Sequence, residues 1–260
     1  MLTSLAGVLF DGFAYGMLLF LLSVGLSVTL GMMNFVNLAH CSFAMVGGYA
    51  TATLMNEWGW PFLATLPIAF VAAAMVGIVL EQILFKRLYR ATELDQCLLT
   101  IGLVFMSVAA AAYLFGTIQQ PIRIPQYLSG AFDFFGLRIG VYRLFLIVVA
   151  LVITAVLVLA LEYTRFGALV RASVDNQRMA RGLGVNVDRA FAITFALGGG
   201  LAGLGGALAI EMVGLDPGFG FTYLVYVLIV VSVGGLGSIW GSFVAATVLG
   251  ISDMAGKYYL

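Results

Sequence analysis

Six stretches of this chain hold no Asp, Glu, Lys or Arg, and they decide what it can fold into. They lie between Asp11 and Glu57, between Glu57 and Glu81, between Asp95 and Arg123, and over 144–161, 190–210 and 217–252. A helix needs about 20 apolar residues to cross the hydrocarbon core of a bilayer. The six stretches therefore hold about six to eight crossings. The apolar-polar alternation of a β-barrel strand is absent from them. Only 9% of the 260 residues are charged, against roughly 25% in a soluble domain. A water-facing surface of this size needs far more polar cover. The prediction is an all-α, polytopic transmembrane helical bundle, with residues 1–260 forming one domain.

The spans can be placed in order. The first runs over about 7–30, followed by a polar interruption at Gly31, Asn34, Asn37 and His40. A shorter apolar segment covers about 41–55, and Trp58 and Trp60 then mark a headgroup-level loop. Further spans are predicted over about 62–85, 97–115, 143–161 and 190–210, with a loop over 116–142. The last apolar region, 221–251, is too long for one straight crossing, and its glycine-rich bend at 234–241 divides it in two. The total is about eight membrane segments, broken near 34–41 and 234–241.

Lys and Arg are retained on the cytoplasmic side. Lys86, Arg87 and Arg90 lie in one loop; Arg165, Arg171, Arg178, Arg181 and Arg189 lie in another, two spans later. Arg123, Arg138 and Arg143 lie between them. The bias puts the first two groups in the cytoplasm and the N-terminus outside. That N-terminus has no basic region or small-residue cleavage site, so its apolar stretch is expected to stay as a span.

Several chemistries find no support. Net charge is zero, which gives nucleic acid no foothold. His40 is the only histidine, so neither a metal cluster nor a Ser-His-Asp arrangement can be built, and no metal or cofactor is expected. Cys41 and Cys97 fall in or beside apolar runs and read as buried thiols. Neither lysine sits in a phosphate-binding loop: Phe85 precedes Lys86, and Tyr258 follows Lys257 where Ser or Thr is required. Glu81, Glu162, Glu211 and Asp253 fall at predicted span ends, so no ion relay through the membrane is suggested. A transporter built this way takes its energy from a partner.

Two segments remain as functional candidates. Within 162–189, Ser173 or Asp175 is expected to cap a short helix, Arg178 and Arg181 to sit at its negative end, and Gly182 to stop it. Met179, Ala180 and Leu183 give it an apolar side. Such a helix is either a knob that docks on a soluble partner or part of a solvated loop that fixes topology. The second candidate is the break around Asn34, Asn37 and His40. Polar groups at membrane depth must face protein or a water-filled cavity. A broken helix also frees backbone groups that can bind a polar solute. The alternative is a plain turn at the membrane surface. The two breaks are expected on the same side, facing each other across a path. Glycines 198–200, 203, 205 and 206, with the pairs Gly199/Gly203 and Ala202/Gly206, mark a closely packed helix.

The run Phe35-Val36-Asn37-Leu38-Ala39-His40, continuing through Met45-Val46-Gly47-Gly48-Tyr49, resembles the N-terminal signature of the branched-chain amino-acid class of ABC permeases. Glu81–Arg90, Arg165–Asn186 and Gly234–Gly241 are similar, in the same order, to that family's later motifs. The resemblance implies a permease subunit of an ATP-driven importer in a bacterial inner membrane. It further implies a second related permease, two cytoplasmic ATP-binding subunits and a periplasmic solute-binding protein. The resemblance also favours coupling with the ATPases for Arg171, Ser173, Asp175, Arg178, Met179, Arg181, Gly182, Leu183 and Gly184. The two breaks facing each other place Asn34, Asn37, His40, Ser42, Gly234, Gly235, Gly237 and Ser238 on the expected translocation path. Cargo within the class includes aliphatic amino acids, urea and amides, and aromatic acids. Cys41 stands where the family usually has glycine, and one further C-terminal span is expected beyond Leu260. The competing reading is a self-sufficient secondary transporter or channel.

Overall fold

The computed structural model describes residues 2–33, 35–89, 91–122, 124–134 and 137–259. Asn34, Arg90 and Arg123 lie outside the described residues. Helix α1 (Leu2–Met33) is the central post, with Met17 through Leu22 shut off from the surface. The chain then leaves helical geometry, and α2 (His40–Asn56) begins part-way down the bundle, where the His40 ring meets α1 at Leu22 and Gly25. The second crossing is thus a non-helical re-entrant segment followed by a short helix.

Helix α3 (Phe62–Leu80) widens into a π-helical turn, Glu81–Phe85, and ends in the short α4 (Lys86–Leu88). Glu81 therefore lies inside this crossing rather than at its end; it is buried and accepts a hydrogen bond from the Tyr89 hydroxyl at 2.8 Å. Helix α5 (Glu93–Phe115) starts from a capping box formed by Thr92 and Asp95. The stretch expected to be loop carries a hairpin, β1 (Ala131–Phe134) antiparallel to β2 (Leu137–Gly140), with Asp133 opposite Arg138. Its four-residue strands are too short to give a readable alternation.

Helix α6 (Val141–Glu162) leads into α7 (Arg165–Asp175) and α8 (Gln177–Gly182). Helices α9 (Val187–Val213), α10 (Phe219–Gly234) and α11 (Ile239–Tyr259) complete the chain. Among the described residues, six helical segments are long and apolar enough to cross a membrane. With 17 and 16 residues, α2 and α10 fall short of the roughly 20 needed alone. The expected eight segments therefore appear as six full crossings and two short ones.

The core is a three-helix contact of α1, α2 and α9, made close by glycine. A Cβ on Gly206 would overlap the Ala44 backbone of α2, and one on Gly198 would stand 2.8 Å from the Gly25 carbonyl of α1. Gly199 and Gly203 both face Ala73 of α3. Lipid tails are as apolar as Leu, so helices associate by close packing, and small residues allow it. By contrast, α5 buries a narrow stripe: Gln96, Thr100, Val104 and Ala111.

Candidate translocation path and coupling surface

The re-entrant break buries polar groups, most of them with partners. His40 is buried, and its Nε2 lies 3.0 Å from the Leu22 carbonyl, so it is not the wet, idle residue of a surface turn. Asn37 is buried as well; its Oδ1 accepts from the Ala39 amide at 3.1 Å, while its Nδ2 has no hydrogen-bond partner among the described residues. Ser42 Oγ lies 2.7 Å from Ser107 Oγ of α5, and Ser107 in turn donates to the Val104 carbonyl at 2.8 Å.

From the Ser42–Ser107 pair a groove of about 710 Å³ extends along α2 towards Trp58, walled by α3 and α5. Its lining is apolar apart from a few hydroxyls, with Met45, Val46, Ala110 and Leu114 prominent. Tyr49 also lines it, stacked on Phe115 with ring centroids 4.3 Å apart. The Tyr49 hydroxyl is buried with no partner among the described residues. Ser107 does not stand out in the sequence, and Tyr49 does so only as the end of the Met45–Tyr49 run, not as a groove residue. Only their depth relative to Ser42, legible once α2 and α5 are seen to run parallel, brings them into the site.

The glycine-rich bend lies elsewhere. Gly235 and Gly237 have positive φ, +90° and +80°, which reverses the chain between α10 and α11. Ser238 Oγ accepts from the Gly241 amide at 3.0 Å, capping α11. Gly237 packs on Gly31 near the end of α1, so the bend does touch the segment leading into the break. Gly234 and Gly241 line a separate hollow of about 370 Å³ between α10 and α11; none of the bend residues lines the groove.

The polar loop departs from its expected caps. Thr164 caps α7, and Asn176 caps α8 by accepting from the Met179 amide at 2.9 Å. Ser173 is inside α7 and donates to the Leu169 carbonyl at 2.7 Å, while Asp175 is the last residue of α7. Neither is a cap, because α7 starts earlier, at Arg165, and runs through both. Gly167 permits the turn, since a Cβ there would overlap the Leu161 backbone. Gly182 stays helical, and the left-handed stop is Gly184, φ +84°, with Val185 N donating to Ala180 O at 3.0 Å.

Arg171 donates to the Leu161 carbonyl, tying α7 to the end of α6. Arg181 meets Asp188 at 2.9 Å, and Lys86 meets the same carboxylate at 2.9 Å, so α8, α9 and α4 join at one charged node. Asp175 and Arg178 stand exposed, as do Met179 and Leu183 at 63% and 80% of their full area. Of the apolar side expected for this helix, only Ala180 turns inward.

The description "branched-chain amino acid transport system / permease component" matches residues 8–260. The chain belongs to this permease family. A probable branched-chain amino acid permease LivH of Methanocaldococcus jannaschii is 31% identical over 255 residues, covering 95% of this chain and 79% of that protein. The high-affinity LivH of Escherichia coli is 27% identical over 267 residues, 97% of this chain and 86% of that protein. LivM of the same organism is 27% identical over 262 residues, 91% of this chain and 60% of its own length. No solved structure matches. As a member of this family with six crossing helices, the chain is a multi-pass protein of the cell's inner membrane.

Proposed function

We propose that this permease is one of two paralogous halves of an ATP-driven importer, and that its solute passes along α2. The observation that carries this reading is the joining of a re-entrant polar break to an apolar groove at Ser42 and Ser107. Freed polar groups suit the charged end of a small amino acid, and the groove suits an aliphatic side chain. Branched-chain amino acids are the favoured cargo, in keeping with the relatives' names. Urea, amides and aromatic acids are the alternatives within the class.

Orientation follows from charge. Seven basic residues among those described (Lys86, Arg87, Arg165, Arg171, Arg178, Arg181 and Arg189) gather at the α7–α8 end, against Arg138, Arg143 and Lys257 at the hairpin end. The α7–α8 end is therefore cytoplasmic. There, exposed Met179, Leu183 and Arg178 form a knob for one of two ATP-binding subunits. A solute-binding protein delivers cargo at the hairpin end.

The test is reconstitution in liposomes with the second permease, the two ATP-binding subunits and the solute-binding protein. Leucine uptake is expected only with internal-facing ATP and all components present. Steady uptake by this chain alone, without ATP, would overturn the reading in favour of a secondary transporter or channel.

A further inference from the structure

Helix α5 leans on the rest of the protein through two polar links. One is the Ser42–Ser107 pair at the head of the groove. The other is Gln96, about 16 Å away along α5 at 1.5 Å per residue, towards the α7–α8 end. Gln96 is buried at 4% exposure. Its Oε1 accepts from the Val36 amide at 3.0 Å, and its Nε2 donates to the Leu88 carbonyl at 3.2 Å. One carboxamide thus joins the re-entrant segment, the end of α4 and the start of α5. Beside it, the Phe35 ring is lodged among Phe85, Tyr89 and Phe195, at centroid distances of 5.1, 5.8 and 6.3 Å.

The segment before α2 is not helical, so the Val36 amide has no helical partner, and in a membrane interior it must find another. Gln96 supplies one such partner across 60 positions of sequence. The side chain is suited to this because it offers an acceptor and a donor together. A closed contact at this end, with a groove running from Ser42 towards the other, is the arrangement of a path shut on the cytoplasmic side.

We propose that Gln96 is the positioning residue of a cytoplasmic gate: its carboxamide clamps the re-entrant segment onto α4 and α5, and passage of solute requires the clamp to open. The gate rests on the importer reading and on its orientation. The lever that opens it is at hand, because Lys86, next to Phe85, shares the Asp188 node with Arg181 of α8. A push on α8 reaches the neighbours of Phe35 through that node.

The test uses the assembled complex in everted membrane vesicles, without ATP. In this chain Cys41 and Cys97 are replaced by Ala, and Val46→Cys places a single thiol in the groove. A membrane-impermeant maleimide applied from the cytoplasmic side is expected to label it slowly. Gln96→Met keeps the volume and removes both hydrogen bonds. It is expected to raise the labelling rate roughly thirtyfold, about the factor two net hydrogen bonds are worth. An unchanged rate overturns the proposal. Should Gln96→Met not assemble, amide exchange on the unaltered complex decides: Val36 is expected to be protected at rest and to lose protection during ATP turnover, and protection that persists through turnover overturns the gate. The labelling needs neither uptake nor ATP, so its failure is separable from failure of the importer reading.

Discussion

Gly47 and Gly48 are neighbours on α2 with the same side chain, yet adding one methyl group to each has different consequences. A Cβ on Gly48 would stand 2.9 and 3.2 Å from the two methyl carbons of Leu215, the flexible end of a side chain that can rotate away. A Cβ on Gly47 would overlap the Cα, C and O of Gly203, all backbone of α9. Nothing there can yield except the two helices. Alanine gains about 1 kcal/mol over glycine in a helix interior. Overpacking costs about 1 kcal/mol where a side chain can move, and about 3 kcal/mol or more where a backbone must. Gly48→Ala should therefore be nearly neutral, and Gly47→Ala should destabilise by about 2 kcal/mol net. At about 2–4 °C per kcal/mol for a chain of this size, Gly47→Ala should melt about 4–8 °C lower. Thermal unfolding of the two purified variants in one mild detergent makes the comparison. Equal shifts, or a larger one for Gly48→Ala, would refute the backbone-to-backbone seam between α2 and α9.

Other predictions concern the two functional ends. Arg178→Glu should cut co-purification of the ATP-binding subunits by about tenfold while leaving the melting temperature unchanged; complexes assembling normally would remove Arg178 from the docking surface. Met179→Asp combined with Leu183→Asp should weaken the same association further, by about 2 kcal/mol for each true anchor, read in the same pull-down at fixed salt. Ser107→Ala deprives Ser42 of its partner, at a cost of about 0.6 kcal/mol of stability. In reconstituted uptake it should raise apparent KM more than it lowers the maximal rate; a change in maximal rate alone would place the pair outside the solute's path.

The all-α membrane bundle and the break before α2 were legible because they rest on charge-free length and on polar residues in an apolar run, while the count of about eight segments was loose. Both signals are local. The caps of α7 and α8 were not, because the start of α7 rests on a contact between elements: Gly167 is the residue that lets α7 pass the end of α6. Phe166, Val170 and Ser173 share the inward face of that helix. The roles of Gln96, Tyr49 and Ser107 were out of reach for another reason. Each is defined by a partner 60 or more positions away or by a wall of a groove, and one sequence carries no register between helices.

How the parts are packed also says which of them can move. Helices α1, α2 and α9 touch through glycine and alanine backbones, and such an interface has no compliant layer of side chains. It can shift only as one body. Helix α5 has the opposite construction: a narrow buried stripe, an apolar groove on one side and two polar links to α2 and its leading segment. A hydrogen bond can be exchanged for another at small net cost, whereas a glycine seam has no second register nearby. Alternating access in this permease should therefore leave the α1–α2–α9 body intact and change the angle between it and α5. Distances between spin labels on α1 and α9 should hold constant through the ATP cycle, while those from α5 to α9 should change by several ångströms. The reverse pattern would mean that the glycine-packed body is the part that flexes.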